Sequence, residues 1–397
     1  MADIRSVLFG PWRAVLVFAI TQILAWGAIY YTPVLTVPLI SADRGWSMTL
    51  AMGGFSLGIL TTGLASPYVG ILVDRYGGHV VMPAGSLLGA AGLAALSIAD
   101  HPVTYLAVWA LLGVAMASSL YDPAFASLGR IFGSEARRPI TLLTLFAGLA
   151  STISWPTTSA LIAWVGWRET YLIYAALLAF VAAPLHAFAL PRSQAATDVP
   201  VAEVAVPASA PPAYGMRFVL LVAAFACFAF VPSGLLAHLL AMFECFGIDR
   251  TTAVAIGILF GPFQVTARLC EFVFARGVQP VVIARSAVAV LLAGFALLGL
   301  FGISAVAAAA FMISLGLANG LMTIARGTVP LALFGAANYG RLIGRIAGPS
   351  LIVQSSSPLI LAFVAERLSD ATALALAAAM ATISLACFLA VRRPPPT

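Results

Sequence analysis

The chain contains no lysine, and charge of either sign is scarce: 9% of its 397 residues are charged, against roughly a quarter in soluble globular proteins. A surface cannot be solvated with so little charge, which excludes a water-soluble monomer. Cysteine is also rare. Cys227, Cys245, Cys270 and Cys387 stand far apart, with no metal-ligand or redox spacing. The four histidines (His79, His101, His186 and His238) are equally scattered, so neither a metal site nor a cofactor is expected. No basic run interleaved with aromatics is present, which excludes a nucleic-acid partner. A Walker-type phosphate loop is missing too, and with it primary pumping. No nucleophile–base pair stands out, so an enzyme is not expected.

What the chain has instead is apolar length. Hydrophobic residues make up 62% of it, and a membrane-spanning helix needs about 20 of them in sequence. Apolar segments fall near 14–39, 48–72, 80–99, 103–128, 140–164 and 169–190. A second set falls near 216–243, 252–274, 280–301, 304–330, 343–365 and 371–391. The fold class expected is an all-α membrane protein of twelve transmembrane helices. They form two six-helix bundles, 1–190 and 216–397, joined by a Pro- and Ala-rich linker at 191–215. The first segment is too long for a signal peptide and is read as a retained helix.

Arginine placement orients the chain. With both termini in the cytoplasm, that side holds Arg5, Arg13, Arg75, Arg130, Arg137, Arg138, Arg192, Arg217, Arg276, Arg285, Arg341, Arg392 and Arg393. The outer side holds only Arg44, Arg168, Arg250 and Arg367. This is the positive-inside pattern of a multi-pass protein of the cell inner membrane. Trp12, Trp46, Trp164 and Trp167 fall at segment ends, where amphipathic rings favour the interface.

The two sets repeat each other. Gly45 matches Gly247, Arg75 matches Arg276, and IFGSEARRPITLL at 131–143 matches LFGAANYGRLIGR at 333–345, all at an offset of 201 or 202. A duplicated six-helix unit enters the membrane the same way twice. The copies are then related by a pseudo-two-fold axis along the membrane normal, with a cleft between them.

The sharpest motif is Gly70-Ile-Leu-Val-Asp74-Arg75-Tyr-Gly77, after segment 2. Its glycines permit a tight turn and close helix approach, and Asp74 can dock on a helix N-terminus. The motif resembles the signature loop of the major facilitator superfamily, although Gly78-His79 replaces the basic residues that usually follow. The resemblance, carried also by the helix count, linker and repeat, implies a secondary transporter. In that family the loop locks the cytoplasmic side, which implies gating roles for Gly70, Asp74, Arg75 and Gly77. The copy Phe274-Ala275-Arg276-Gly277 keeps Arg and Gly and lacks Asp.

Ionisable residues at bilayer depth are costly and usually face a cavity or a partner. Segment 8 carries Gln264, Arg268 and Glu271 on one face. Segment 10 carries Asn319 and Arg326, and segment 4 carries Asp122. Arg268 stands eight residues before Arg276. Monocarboxylate porters of the resembled superfamily place there an arginine that pairs with substrate carboxylate. They differ in having an acid where this chain has Gln264, and their animal members have a lysine where this chain has Val34. Arg268 is therefore either a substrate anchor or the partner of Glu271 in a gate. Glu271 and Asp122 are the acids placed to carry a coupled proton, while Arg130 and Arg326 are gating candidates. Segment 1 offers a polar-aromatic stripe, Gln22, Trp26 and Tyr30, followed by Tyr31, as a candidate lining of the substrate path.

Three functions are consistent with these features. The first is a monomeric carrier of a small-molecule substrate, a small organic anion such as a monocarboxylate, with proton symport as one mode of coupling. The second is an efflux pump for amphipathic compounds, and the third a membrane sensor without transport.

Overall fold

A computed structural model describes residues 10–191, 215–275 and 277–391; of Leu240 and Ala241 only the backbone is described. Residues 192–214 of the expected linker 191–215, the repeat landmark Arg276 and the terminal arginines Arg5, Arg392 and Arg393 lie outside the described residues.

Among the described residues every regular element is helical. Eleven stretches are long and apolar enough to cross a membrane, and one of these, Pro102–Val165, runs for 64 residues. At 1.5 Å per residue it would be about three bilayers long as a straight helix. Instead it turns back at Gly133, whose φ is +56°, and so holds two spans. The twelve helices are α1 Arg13–Arg44, α2 Met48–Tyr76, α3 Gly78–Ile98, α4 102–132, α5 137–165 and α6 Trp167–Ala189, followed by α7 Met216–Cys245, α8 Arg250–Phe274, α9 Pro280–Phe301, α10 Ala305–Phe334, α11 Tyr339–Arg367 and α12 Asp370–Ala390. Most run a few residues past the apolar segments, because polar residues complete the end turns, such as Asp74 at the end of α2 and Arg341 at the start of α11. Those residues are invisible to a count of apolar ones.

Local chemistry ends the helices. Ser47 accepts a hydrogen bond from the Leu50 amide at the start of α2, and Ser304 and Ser369 do the same for α10 and α12. Asp249 caps α8. Hydrogen bonds from the hydroxyl and the amide of Thr252 hold its carboxyl below the usual carboxylate range. The repeat landmarks have a backbone reason. Gly45 and its match Gly247 have φ of +65° and +85°, and Gly133 and its match Gly335 have φ of +56° and +78°. Only glycine adopts that region without cost.

Packing repeats as the sequence does. α2 and α3 pack on α4, α1 on α5, and α3 on α6; in the second half α8 and α9 pack on α10, α7 on α11, and α9 on α12. The halves meet along two seams, α2 against α11 and α8 against α5, which the pseudo-symmetry exchanges. One face of the molecule gathers Trp12 set edge-on to Phe132, Phe218 edge-on to Phe334, and Arg285 bonded to the Phe388 and Val391 carbonyls. We call it the basal face.

Prolines inside helices leave carbonyls without partners, and neighbours fill them. Pro358 in α11 frees the Gln354 carbonyl, which accepts from Ser233 Oγ of α7 at 2.9 Å. His238 donates from Nε2 to the Pro358 carbonyl at 2.9 Å, an ordinary interhelical bond. In α1 the strain before Pro33 is taken up by a π-turn over Trp26–Tyr31. The Thr32 amide and hydroxyl both donate to the Gly27 carbonyl.

Candidate functional site between the two halves

The α2–α11 seam is closed on the basal side by backbone contact. A Cβ on Gly70 would collide with the Gly340 carbonyl, and one on Gly344 with the Ser66 carbonyl, so these helices touch without side chains between them. Asn338 precedes α11 in a left-handed conformation and offers it no side-chain cap. Asp74 supplies the cap from the other half: its carboxylate accepts from the amides of Gly340 at 2.8 Å and Arg341 at 2.6 Å. An anion at a helix N-terminus meets exposed N–H groups and the positive end of the dipole. Arg130 donates to the Asp74 carbonyl and so braces the loop. Gly77 sits at φ +84°. Gly78, where the resembled motif has a basic residue, packs on Ser127 with no room for a Cβ. Arg75 is exposed and lies over the Tyr76 ring at 5.2 Å; among the described residues no hydrogen bond or ion pair joins it to the second half.

The α8–α5 seam is closed differently. Glu271 does not pair with Arg268 three residues earlier. It accepts from Arg137 of α5 at 3.2 Å, and the same guanidinium donates to the Ala275 carbonyl at 2.8 Å. Helix direction decides this: Glu271 points across the seam, where Arg137 approaches from the other half. Asp122 of α4 pairs across the halves with Arg326 of α10 at 2.8 Å.

Arg268 is 3% exposed. It is buried between the halves, not set on an open wall. Its Nη1 donates to the Thr144 carbonyl of α5 at 3.1 Å and its Nη2 lies 3.4 Å from Thr323 Oγ1 of α10. Its Nε has no partner, and no carboxylate lies within ion-pairing distance among the described residues. Tyr31 and Tyr121 are within electrostatic reach of it. Gln264 and Asn319 are half-buried on the same side of the second half. The Gln264 and Asn319 carbonyls serve other purposes: the first packs on Gly320, and the second accepts from Thr323.

The stripe of α1 divides in two. Gln22 is fully buried and spent inside the first half, donating to the Ser119 carbonyl at 2.7 Å and accepting from Trp26 Nε1 at 3.1 Å. Trp26, Tyr30 and Tyr31 are half-buried and form a ring cluster: Trp26 lies 4.8 Å from Tyr30 and 4.9 Å from Tyr121, Tyr30 lies 5.4 Å from Phe55, and Tyr31 lies 6.3 Å from Trp155. Gln354 of α11 donates to the Tyr30 hydroxyl at 3.3 Å across the halves. Gln354, Thr323, Tyr121, Arg137 and Trp155 are additions of the tertiary structure. A search for polar groups inside apolar segments would have flagged Gln354 and Thr323.

Two pseudo-symmetric six-helix halves meeting around buried ionic contacts define a polytopic carrier-type membrane protein. The chain belongs to the Major Facilitator Superfamily, whose family profile it matches over residues 15–348. Its structure resembles those of transporters, all at identities where only the fold is informative. FucP in the outward conformation gives a TM-score of 0.75 at 13% identity, covering 96% of this chain and 99% of that one. The proton:xylose symporter XylE gives 0.74 at 9%, covering 96% and 97%. The human organic anion transporter MFSD10 gives 0.68 at 16%, covering 99% and 100%. By sequence, 143 residues are 35% identical to monocarboxylate transporter 3 of Rattus norvegicus, which is 34% of this chain and 26% of that protein. For monocarboxylate transporter 1 of Bos taurus the figure is 33% over 116 residues, 28% of this chain and 22% of that protein. The chain thus spans about a quarter of the length of the curated relatives it matches. Family and fold make it a multi-pass membrane protein of that superfamily.

Proposed function

We propose that the protein is a secondary transporter of a small organic anion, a monocarboxylate, working by alternating access in the cell inner membrane. The basal face is cytoplasmic, in keeping with the arginine bias. In this conformation the Asp74 cap, the Asp122–Arg326 pair and the Arg137 clasp close the cytoplasmic side. Gly70, Gly77 and Arg130 serve the same closure.

One observation carries the substrate class: Arg268 is a permanently charged guanidinium buried at the meeting of the halves, with neutral partners and a spare N–H. A buried cation without a counter-charge is costly, and a carboxylate supplies one in bidentate geometry. Gln264 and Asn319, half-buried nearby, carry the side-chain amides that would complete the anion's hydrogen bonds. The partial identity with monocarboxylate transporters points the same way. Glu271, three residues from Arg268 and held by Arg137, is the group that would take a proton when substrate arrives; Asp122, held by Arg326, is the alternative carrier. The protein acts as a monomer.

Counterflow in proteoliposomes tests this reading. Saturable exchange of a labelled small carboxylate is expected, and Arg268→Gln is expected to weaken it by about 10- to 150-fold, the equivalent of a charge-assisted hydrogen bond. The aromatic cluster around Trp26 favours a rival, efflux of amphipathic compounds. Drug extrusion unaffected by Arg268→Gln, with no carboxylate exchange, would establish the rival.

A further inference from the structure

Resting on the anion reading of Arg268, we infer that the substrate is an arylcarboxylate, with its ring held by the first half and its carboxylate by the second. The two walls of the interface differ in kind. The first half contributes rings from four helices: Trp26, Tyr30 and Tyr31 of α1, Phe55 of α2, Tyr121 of α4 and Trp155 of α5. Their centroids are linked at 4.8 to 6.3 Å and most are set edge-to-face. Among the described residues the second half contributes no ring to this cluster. It brings Arg268, Gln264, Thr323 and Gln354 instead.

The cluster holds more aromatic surface than packing between α1 and its neighbours requires. Trp155 is 46% exposed, and Trp26, Tyr30 and Tyr31 are half-buried although they lie in the middle of the membrane span. Two of their polar atoms are already engaged: Trp26 Nε1 by Gln22 and the Tyr30 hydroxyl by Gln354. What they still offer are faces and edges. Ring edges carry positive and ring faces negative charge density, so this surface prefers another ring to a saturated group of equal size. The π-turn Trp26–Tyr31 produces the arrangement, since widening one helical turn lets the consecutive Tyr30 and Tyr31 both face the cluster, 5.4 Å apart.

Arg268 and the ring cluster both reach α5, the guanidinium at Thr144 and the cluster at Trp155. Benzoate and phenylacetate are the simplest ligands that carry a ring and a carboxylate together. Alternating access would part the halves and bring the guanidinium to the ligand.

The experiment is competition against labelled benzoate exchange in proteoliposomes holding the full chain, with phenylacetate, cyclohexanecarboxylate, L-lactate and the uncharged benzamide as competitors. Benzoate and phenylacetate are expected to compete about tenfold better than cyclohexanecarboxylate, which has nearly the same volume without the ring electrons. Trp155→Leu should bring benzoate down to the level of cyclohexanecarboxylate, and Trp155→Phe should restore the difference. The thermal shift given by benzoate on purified protein should follow the same order. Equal competition by benzoate and cyclohexanecarboxylate, or an unchanged ratio in Trp155→Leu, overturns the inference and leaves the anion reading standing. Benzamide competing as well as benzoate overturns the anion reading while the ring preference survives. Exchange of no carboxylate at all overturns both.

Discussion

The two seams that join the halves are related by pseudo-symmetry and closed by opposite chemistry. On α2–α11, glycine meets glycine and the carboxylate of Asp74 caps a helix N-terminus. On α8–α5, Glu271 stands at the position of Gly70 and Ala275 at that of Asp74, each displaced by 201 residues. There Arg137 reaches from the start of α5 to a carbonyl at the end of α8, and to Glu271 on the way. Both solutions match a charge to a helix end: an anion to the N–H end, a cation to the C=O end. They differ in tolerance. Backbone contact leaves no slack, whereas a long ion pair can stretch and re-form. A duplicated unit can thus keep one stiff clasp and one that responds to charge, and the responsive one lies beside Arg268.

Substitutions can break this contrast. The readout proposed is the rate at which a membrane-impermeant maleimide labels Ser66→Cys, a site 2% exposed in the α2–α11 seam, after replacement of the four native cysteines. Gly70→Ala should act most strongly, because its Cβ would strike the Gly340 carbonyl. Overpacking of this kind costs about 3 kcal/mol, so labelling should rise to the limit and transport should fall. Unchanged labelling would mean that the seam is loose. Asp74→Asn keeps the shape but weakens two charge-assisted bonds, at a cost of about 2 kcal/mol, or roughly 30-fold in the open fraction. Glu271→Gln should matter less, about 1 kcal/mol, since Arg137 keeps the Ala275 carbonyl and a neutral acceptor; its larger effect should be on the pH dependence of exchange. If Glu271→Gln opened the basal face as far as Asp74→Asn, the two seams would be equally stiff and the contrast would fail. Arg75→Ala should change labelling least, by no more than about 0.5 kcal/mol, because the side chain is exposed over Tyr76.

Arg75 illustrates what a motif cannot say. Its place in the loop made it a gating residue by resemblance, yet the neighbouring Asp74 makes the contact and Arg75 faces outward. Arg268 and Glu271 illustrate the limit of spacing. Three residues apart, they share a face, and pairing within the helix was one of the readings open to them. The competing Arg137 is 134 residues away, and no periodicity reports a partner at that distance. Gln22 and Tyr30 occupy one stripe, but only Tyr30 reaches the second half; helix rotation separates them. Asp122 and Arg326 were each legible as buried charges, and their pairing was not.

Composition and order along the chain were enough to determine the twelve apolar spans, the duplication and the turn glycines, because a helix that crosses a bilayer needs about 20 apolar residues and positive φ admits little but glycine. The tertiary structure alone decided which buried charges neutralise each other, and that Arg268 meets no carboxylate among the described residues. Those outcomes depend on how helices rotate and cross, which is set by packing between residues more than a hundred positions apart.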